Sequence, residues 1–270
     1  MMPRFKITLA YDGTGFVGWQ RQAQGVSIQG LLEEALGDLD GRPVVVIGAG
    51  RTDAGVHALG QVASFSLTRP IDPAALVRAI NARLPPAVRV LSAEAAPEGF
   101  HARFDAARKA YRYRIWNGGV PNPFERAFAW HVSAPLAVDA MEAAAARLVG
   151  RHDFAAFQAA GAPTTSTVRE VSVSVVRWVE LCHDERGLHA GRDVGSLVIY
   201  DIVGSGFLRH MVRTIVGSLV EIGRGRRSID WIAELLERRD RALAGPTAPP
   251  HGLVLMGVEY GLQSALGTSP

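Results

Sequence analysis

The stretch VVVIGAGRTDAGVHALGQVASFSL, residues 44–67, places a glycine-rich turn between two hydrophobic runs. Val44 to Ile47 and Gln61 to Leu67 have the composition of buried strands. The turn between them carries Arg51 and Asp53 within the motif GRTDAG. Three interpretations of Asp53 are open: a turn former, part of a phosphate-binding loop, or a reactive carboxylate with a cation nearby to meet an anionic substrate.

Two glycine-rich segments resemble a dinucleotide-binding loop only in part. Gly48-x-Gly50 follows a strand, but Asp53 stands where a third glycine is expected, and a carboxylate there repels a pyrophosphate. GTGFVG, residues 13–18, has all three glycines, but the polar segment WQRQAQGVS follows it directly in place of an apolar helix. We interpret this second loop as an aromatic-bearing surface that contacts a large ligand. Its contacting residues are Phe16, Trp19 and Arg21.

The bulk composition limits the class of protein. A chain of 270 residues with 48% hydrophobic content suits one large or two modest domains with real cores. Cys182 is the only cysteine, which excludes an internal disulfide and predicts a reducing, cytoplasmic location. The apolar runs are too short for a signal peptide or a membrane span, so we expect no membrane association.

The basic residues are almost all arginine. Net charge is +3 and the sequence pI is about 9.3, and Lys6 and Lys109 are the only lysines among 29 basic residues. Arginine suits phosphate and stacks on nucleobases. Genome composition and adaptation to heat are alternative causes of the same bias.

Hydrophobic periodicity predicts the same order of elements twice. In the first half we predict helices at 27–39 and 72–84, N-capped by Ser27 and Asp72, and strands at 5–12, 43–49, 60–68 and 88–96. In the second half we predict strands at 109–117, 168–180, 195–207 and 251–260, and helices at 137–150, 208–223 and 228–239.

The first half therefore follows the order β-α-β-β-α-β, and the second half repeats it with insertions, which predicts an α+β fold with largely antiparallel sheets. We expect the halves to join edge to edge around a cleft. The predicted domains are 1–105 and 106–262, followed by a frayed tail at 263–270.

The segment FHARFDAARKAYRYRIWN, residues 100–117, interleaves cations with aromatic residues. On a strand, Tyr111 and Tyr113 share one face while Arg112 and Arg114 share the other. One interpretation is a half-buried strand with a solvated basic face. The other is a nucleic-acid surface, with arginines on phosphates and aromatic rings on unpaired bases.

The helix predicted at 208–223 is amphipathic, with Arg209 and Arg213 along one flank of its apolar stripe. Such arginines are either surface residues or are aimed inward at a carboxylate. His210 has no second ligand at metal-binding spacing, so no metal site is predicted there.

Five motifs together resemble the TruA-type tRNA pseudouridine synthases. They occur in that family's order from Tyr11 to Tyr260, and GRTDAGVHA is highly specific to the family. The motifs are YDGTGFVGWQRQ, AGRTDAGVHALGQV, FHARFDAARKAYRYRIWN, FLRHMVRTIVGSLVEIG and WIAELLERRDRALAGPTAPPHGLVLMGVEY.

The resemblance implies two ferredoxin-like halves around a central basic cleft, and a homodimer that holds tRNA without metal or organic cofactor. The implied reaction converts uridine to pseudouridine at one or more of positions 38, 39 and 40 of the anticodon stem-loop. By motif position, Asp53 is then the nucleophile and Arg51 helps to evert the target nucleotide. Tyr111 packs on the target uracil, and Arg213 pairs with the nucleophile.

Two other classes of function predict different sequences. An RNA-binding protein without catalysis would lack Asp53 or Tyr111, and both are present. A nucleotide-dependent enzyme with a glycine-rich loop would have a parallel sheet, against the repeated β-α-β-β-α-β order.

Overall fold

The structure is a computed structural model that describes residues 2–161, 164–179 and 195–261. Contacts divide these residues into two compact units. The first extends to Lys109 and includes the C-terminal strand from Val254, and the second is Ala110–Leu253. Cys182 and the tail predicted at 263–270 lie outside the described residues.

Up to Ala96 the first unit has the predicted order of elements, and it also includes most of the strand predicted at 251–260 as the end of the second half. Its strands are β1 (Arg4–Tyr11), β2 (Ile47–Gly48), β3 (His57–Ser66), β4 (Val88–Ala96) and most of β10 (Leu253–Tyr260), and its helices are α1 (Ile28–Asp40) and α2 (Pro73–Asn81). The sheet order is β4-β1-β3-β10, and β2 pairs with β3. The β1–β3, β1–β4 and β2–β3 pairs are antiparallel, while β10 runs parallel to β3.

Sequence patterns set the helix starts in this unit. The Ser27 side chain accepts a hydrogen bond from the Gly30 amide at 3.1 Å, which confirms it as the N-cap of α1. Asp72 caps α2 in the same way through the amide of Ala75, with Pro73 in the first turn. On β1, alternate residues are buried, as expected for a strand with one face against a core.

The strand predicted at 43–49 shrinks to Ile47–Gly48. Val44 to Val46 still alternate between buried and exposed, as an extended segment does. Side chains of α1 take the place of a partner strand at Val46. Gln29 donates to its carbonyl at 3.0 Å, and Glu33 accepts from its amide at 3.4 Å.

The second unit is also a mixed structure. Its strands are β5 (Ala106–Asn117, of which Ala110 onward lies in this unit), β6 (Trp130–Val132), β7 (Gly150–Asp153), β8 (Val168–Val179) and β9 (Ser196–Gly204), and its helices are α3 (Val138–Ala146), α4 (Met211–Gly223) and α5 (Trp231–Arg238). The strand order is β5-β9-β8-β7, with β6 against β5. The β7–β8 and β8–β9 pairs are antiparallel, and α3 packs against β8 and α4.

The described residues thus form a mixed α+β fold with mostly antiparallel strand pairing, as predicted. The short strands β6 and β7 were not predicted, because three or four residues carry too little periodicity to be distinguished from loop. None of the helices within the described ranges has the length and apolar character needed to cross a membrane.

Candidate active site

Arg51 and Asp53 lie in the loop between β2 and β3 of the first unit. The Arg51 side chain is exposed, whereas Asp53 is partly buried. The loop closes on itself, because the Val56 amide donates to the Asp53 carbonyl at 3.1 Å and Gly55 adopts a positive φ of 76°. Thr52, between the two candidate residues, is buried and points to the interior. The loop therefore directs Thr52 inward, exposes Arg51 and leaves Asp53 at an intermediate depth.

The segment between β1 and α1 packs against the backbone of this loop. Gly18 has a φ of 101°, and a Cβ atom on it would lie 2.6 Å from the Thr52 carbonyl oxygen. The Trp19 amide donates to the same carbonyl at 3.0 Å. A Cβ on Gly13 would lie 2.1 Å from the carbonyl oxygen of Val56. Gly13 and Gly18 of GTGFVG thus permit close packing against the backbone of the Asp53 loop.

Trp19 corrects one of the sequence predictions. We expected its ring to contact a ligand at the surface, but the side chain is 2% exposed. A Cβ on Gly48 would lie 2.3 Å from the Trp19 ring, so the absence of a side chain at Gly48 makes room for the indole. The ring of Tyr11 lies 6.4 Å away. The signal that was missed is this glycine, because a glycine in a strand often marks a position that another group approaches closely.

Neutral polar groups stabilise the same loop. The hydroxyls of Tyr11 and Thr52 are 2.9 Å apart, and the side-chain amide of Gln61 donates to the Gly50 carbonyl at 2.9 Å. Burial raises the pKa of Tyr11 to about 12, although hydrogen bonds from Thr52 and Gln61 act in the opposite direction. The Tyr11 phenol therefore stays protonated at physiological pH. The loop is anchored without a charged group at this point.

His57 supports the loop as an acceptor. Its Nδ1 receives the Gly13 amide proton at 2.9 Å, so the proton of the neutral ring is on Nε2. Oδ1 of Asp12 lies 3.1 Å from the same nitrogen, a distance that would suit an ion pair. A ring nitrogen that accepts the Gly13 amide proton cannot also donate to Asp12. Asp12 instead accepts the Thr14 amide at 2.9 Å.

Tyr111 lies on β5 in the second unit. Its side chain is 8% exposed, and its ring makes an edge-to-face contact with that of Phe207, with centroids 5.2 Å apart and an interplanar angle of 86°. Edge-to-face packing is a preferred geometry for two aromatic rings, so Phe207 restricts the orientation of Tyr111. Phe207 is the first residue of the motif FLRHMVRTIVGSLVEIG, but no contact of its ring with Tyr111 was predicted from the sequence.

Tyr113 has the same strand face but a different environment. Its ring is fully buried, and its hydroxyl donates to the Pro249 carbonyl at 2.7 Å. Gly252 allows this packing, since a Cβ there would lie 2.6 Å from the ring. Burial raises the pKa of Tyr113 above its usual value, while the charge of Arg213 acts to lower it. Tyr113 is therefore a core residue.

The neighbouring arginines of β5 favour the half-buried-strand interpretation of its second half. Arg112 makes two hydrogen bonds with Asp201, at 2.7 and 3.1 Å. Arg114 pairs with Glu125. Arg103 and Arg108, by contrast, are exposed. The basic surface expected across 100–117 is thus concentrated before Tyr111.

Arg213 lies on α4 and is half-buried. Its Nε donates to the Ala248 carbonyl at 2.8 Å, and the Ala248 amide donates back to the Arg213 carbonyl at 3.1 Å. The loop 244–250 can approach α4 because Gly217 has no side chain. A Cβ there would lie only 1.7 Å from the Pro246 carbonyl oxygen and would clash with it. This loop therefore holds both Arg213 and, through Pro249, Tyr113.

Arg209 does not lie on the helix. We predicted a helix from 208, with Arg209 and Arg213 along one flank, but α4 begins at Met211. His210 precedes it with a φ of 63°, in the left-handed region, which breaks the helical continuity. Arg209 is exposed on the turn before the helix. Within the described ranges no three His, Cys, Asp or Glu side chains gather as a metal site.

The sequence matches the family described as tRNA pseudouridine synthase over residues 7–105 and 144–261. The chain belongs to the tRNA pseudouridine synthase family. The tRNA pseudouridine synthase A of Myxococcus xanthus is 47% identical over 259 residues, covering 96% of this chain and 92% of the relative. The same-named proteins of Moorella thermoacetica and Syntrophotalea carbinolica are 46% and 44% identical, with 96% and 97% of this chain covered and 100% and 98% of each relative.

Membership confirms the resemblance found in the sequence and makes the protein an enzyme of an isomerase family. The first matched range includes Arg51 and Asp53, and the second includes Arg213. Tyr111 lies between the two ranges. The relatives nevertheless align with the chain over nearly its whole length.

Proposed function

We propose that the enzyme converts uridine to pseudouridine at one or more of positions 38, 39 and 40 of the tRNA anticodon stem-loop, with Asp53 as nucleophile and no cofactor. The observation that carries the proposal is the position of Asp53. It is a partly buried carboxylate on a loop held from below by Gly13, Gly18 and Trp19, in a chain of this family. A rigid scaffold positions a nucleophile better than a free loop does.

The reaction requires no electron transfer. The N1–C1′ glycosidic bond breaks, the uracil turns in place, and C5 bonds to C1′. C5 then loses its hydrogen as a proton, and N1 ends protonated. Uridine and pseudouridine are isomers, so neither an oxidant nor a reductant enters the balance.

Each further site residue has a proposed part in this chemistry. Arg51, exposed beside the nucleophile, helps the target nucleotide to leave its stack, a step that costs a few kcal/mol. Tyr111 holds the released uracil by its face, which stabilises it by about 1–3 kcal/mol. Arg213 supplies the positive charge that favours a carboxylate nucleophile.

The proposal extends to fold and assembly. We propose that the first unit is a ferredoxin-like half, supported by its element order and by the antiparallel β4–β1–β3–β2 pairing. We propose a second such half for the rest of the chain. We also propose that the protein is cytoplasmic and forms a homodimer that binds tRNA. Light scattering with and without tRNA gives the molar mass and so tests the dimer and its complex with tRNA.

The function is tested by tritium release from tRNA that carries 5-³H-uridine, because C5 must lose its hydrogen. Wild-type protein is expected to release tritium, and Asp53→Asn to reduce the rate by more than about 1,000-fold, since it removes the nucleophile. The affinity of Asp53→Asn for tRNA is expected to stay near that of wild type.

Asp38→Asn is the matched control, because Asp38 is an exposed carboxylate on α1 of the same unit. It removes one negative charge without touching the loop, and its rate is expected to equal that of wild type. Turnover by Asp53→Asn at more than a few per cent of the wild-type rate would exclude Asp53 as nucleophile.

A further inference from the structure

An exposed phenylalanine stands on the surface of the first unit, just before β5. The ring of Phe104 is 74% exposed, although exposure of an aromatic ring forfeits hydrophobic stabilisation. One of its faces is already covered, because the imidazole of His101 stacks on it at 4.2 Å and an interplanar angle of 27°. The guanidinium carbon of Arg103 lies 5.7 Å from the ring centroid. These three side chains are called the Phe104 platform below.

Backbone hydrogen bonds fix the platform. Nδ1 of His101 accepts the amides of Arg103 and Phe104, both at 3.2 Å, so the imidazole cannot rotate freely. The His101 amide donates to the Asp105 carboxylate at 2.8 Å, and the Asp105 amide donates back to the His101 carbonyl at 3.1 Å. The Phe104 ring is therefore ordered before any ligand arrives, which lowers the entropy cost of binding.

The turn that carries the platform is anchored in the core. Phe100 and Ala102 are buried in one cluster with Ala49 and Val62. The Ala102 carbonyl accepts the Tyr260 hydroxyl at 2.8 Å. Ala49 belongs to the segment that leads directly into Arg51 and Asp53, so one small cluster supports both the platform and the proposed catalytic loop.

We propose that the Phe104 platform is a binding site for an unpaired nucleobase of tRNA, separate from the target uridine. Every nucleobase has a π-face, so an ordered and exposed ring binds unpaired bases with little regard to sequence. Exposed Arg103 and Arg108 give the adjoining surface the charge that a phosphate backbone requires. The proposal rests on the proposed function, because that function makes tRNA the ligand.

The experiment compares two RNAs with the full-length protein: an anticodon stem-loop and a blunt duplex of the same stem sequence. Phe104→Leu keeps an apolar side chain but removes the π-face. It is expected to bind the stem-loop about tenfold more weakly than wild type, with an unchanged salt dependence. Its affinity for the duplex is expected to be unchanged, because a duplex offers no unpaired base. Phe104→Tyr is expected to restore stem-loop binding.

Two further variants separate stacking from charge and from exposed apolar surface. Arg103→Gln is expected to weaken binding of both RNAs and to reduce the slope of log affinity against log salt by about 0.7–0.9. Phe124→Leu is the matched control, because Phe124 is 89% exposed and no other aromatic ring packs on it within the described residues. Its affinity for either RNA is expected to equal that of wild type.

The proposal is overturned if Phe104→Leu binds the stem-loop as wild type does, loses duplex binding equally, or is matched by Phe124→Leu. A change in molar mass of Phe104→Leu by light scattering, with RNA affinity unchanged, would assign the ring to a protein contact instead. If wild type releases no tritium while the stem-loop effect is present, the proposed function fails and the platform stands. If wild type releases tritium and Phe104→Leu binds normally, the platform fails alone.

Discussion

Tyr111 and Tyr113 stand two residues apart on β5 and have different surroundings. Tyr113 is fully buried, and its hydroxyl donates to the Pro249 carbonyl, whereas the ring of Tyr111 packs edge to face with that of Phe207. Tyr113→Phe is expected to lower the free energy of unfolding by about 1–3 kcal/mol, because it leaves the Pro249 carbonyl without this donor. Turnover per folded molecule is expected to stay unchanged.

Tyr111→Leu is the complementary variant. It is expected to lose turnover, because leucine has no ring to hold the uracil. Urea unfolding and tritium release, measured on both variants, test the contrast. A large loss of turnover in Tyr113→Phe together with full turnover in Tyr111→Leu would exchange the roles of the two tyrosines.

Replacement of Arg213 and replacement of Arg209 are expected to affect different steps, turnover in the first case and tRNA binding in the second. Arg213 is half-buried and bonded to Ala248, while Arg209 is exposed on the turn before α4. Arg213→Met is expected to reduce kcat on the order of 100-fold with little change in tRNA affinity, as loss of a preorganised charge does. Arg209→Met is expected to weaken tRNA binding and to reduce its salt dependence if it meets phosphate.

Arg213→Lys serves as a further check. Lysine keeps the charge but has no Nε–H to donate to Ala248, so it is expected to recover only part of kcat. Single-turnover rates and equilibrium binding separate the two effects. Full activity in Arg213→Met would remove Arg213 from the reaction.

Among the elements, the loop 244–250 depends on a glycine of α4. Helix propensity alone predicts that Gly217→Ala stabilises the protein by about 1 kcal/mol. The Cβ, however, would lie 1.7 Å from the Pro246 carbonyl oxygen, so we expect a loss of about 1–3 kcal/mol instead. Turnover is expected to fall as well, because the displaced loop carries the carbonyl of Ala248 that holds Arg213.

Gly37→Ala on α1 is the matched control. A Cβ there would be 3.5 Å from the nearest atom, the Arg42 carbonyl oxygen, which is an ordinary contact. This variant is expected to gain about 0.5–1 kcal/mol with unchanged turnover. Thermal and urea unfolding of both variants measure whether the free energy of unfolding falls in Gly217→Ala and rises in Gly37→Ala. Stabilisation by Gly217→Ala would show that the loop does not press on the helix.

The elements also show how far a sequence predicts this fold. Ser27 and Asp72 were identified correctly as helix N-caps, because a cap is local and its residue type is restricted. The strand at 43–49 was mostly wrong, because side chains of α1 satisfy the backbone of Val46 in place of a neighbouring strand. Periodicity reports which side chains are buried, not what satisfies the backbone.

The candidate site likewise has a part that the sequence predicted and a part that it did not. Asp53, Arg51, Tyr111 and Arg213 were predicted from motifs, and their roles stay predictions. The glycine packing under Asp53, the Phe207 contact and the loop at Arg213 depend on approaches between distant segments. A single sequence does not show directly which distant segments come into contact. Gly13 and Gly18 were visible, but a glycine does not indicate which backbone comes close to it.

At the scale of the whole molecule, four of the five tyrosines have a pKa above the usual value. Burial is the largest cause for each of Tyr11, Tyr113, Tyr200 and Tyr260, and the pKa of Tyr11 reaches about 12. An unfolded tyrosine releases its proton near pH 10, whereas these phenols in the folded protein keep theirs. Above pH 10 the folded state therefore binds more protons than the unfolded state, and the free energy of unfolding falls as pH rises.

The composition makes this slope measurable, because arginine does not titrate in the window and Lys6 and Lys109 are the only lysines. The urea midpoint is expected to be highest below pH 10 and to fall between pH 10 and 12. Tyr11→Phe is expected to lower the midpoint at pH 8, because it removes the contact with Thr52, and to make the alkaline decline shallower. Tyrosinate absorbance is expected to rise together with unfolding. A urea midpoint that stays constant up to pH 11.5, or tyrosinate that forms while the protein remains folded, would contradict burial as the cause of the raised pKa values.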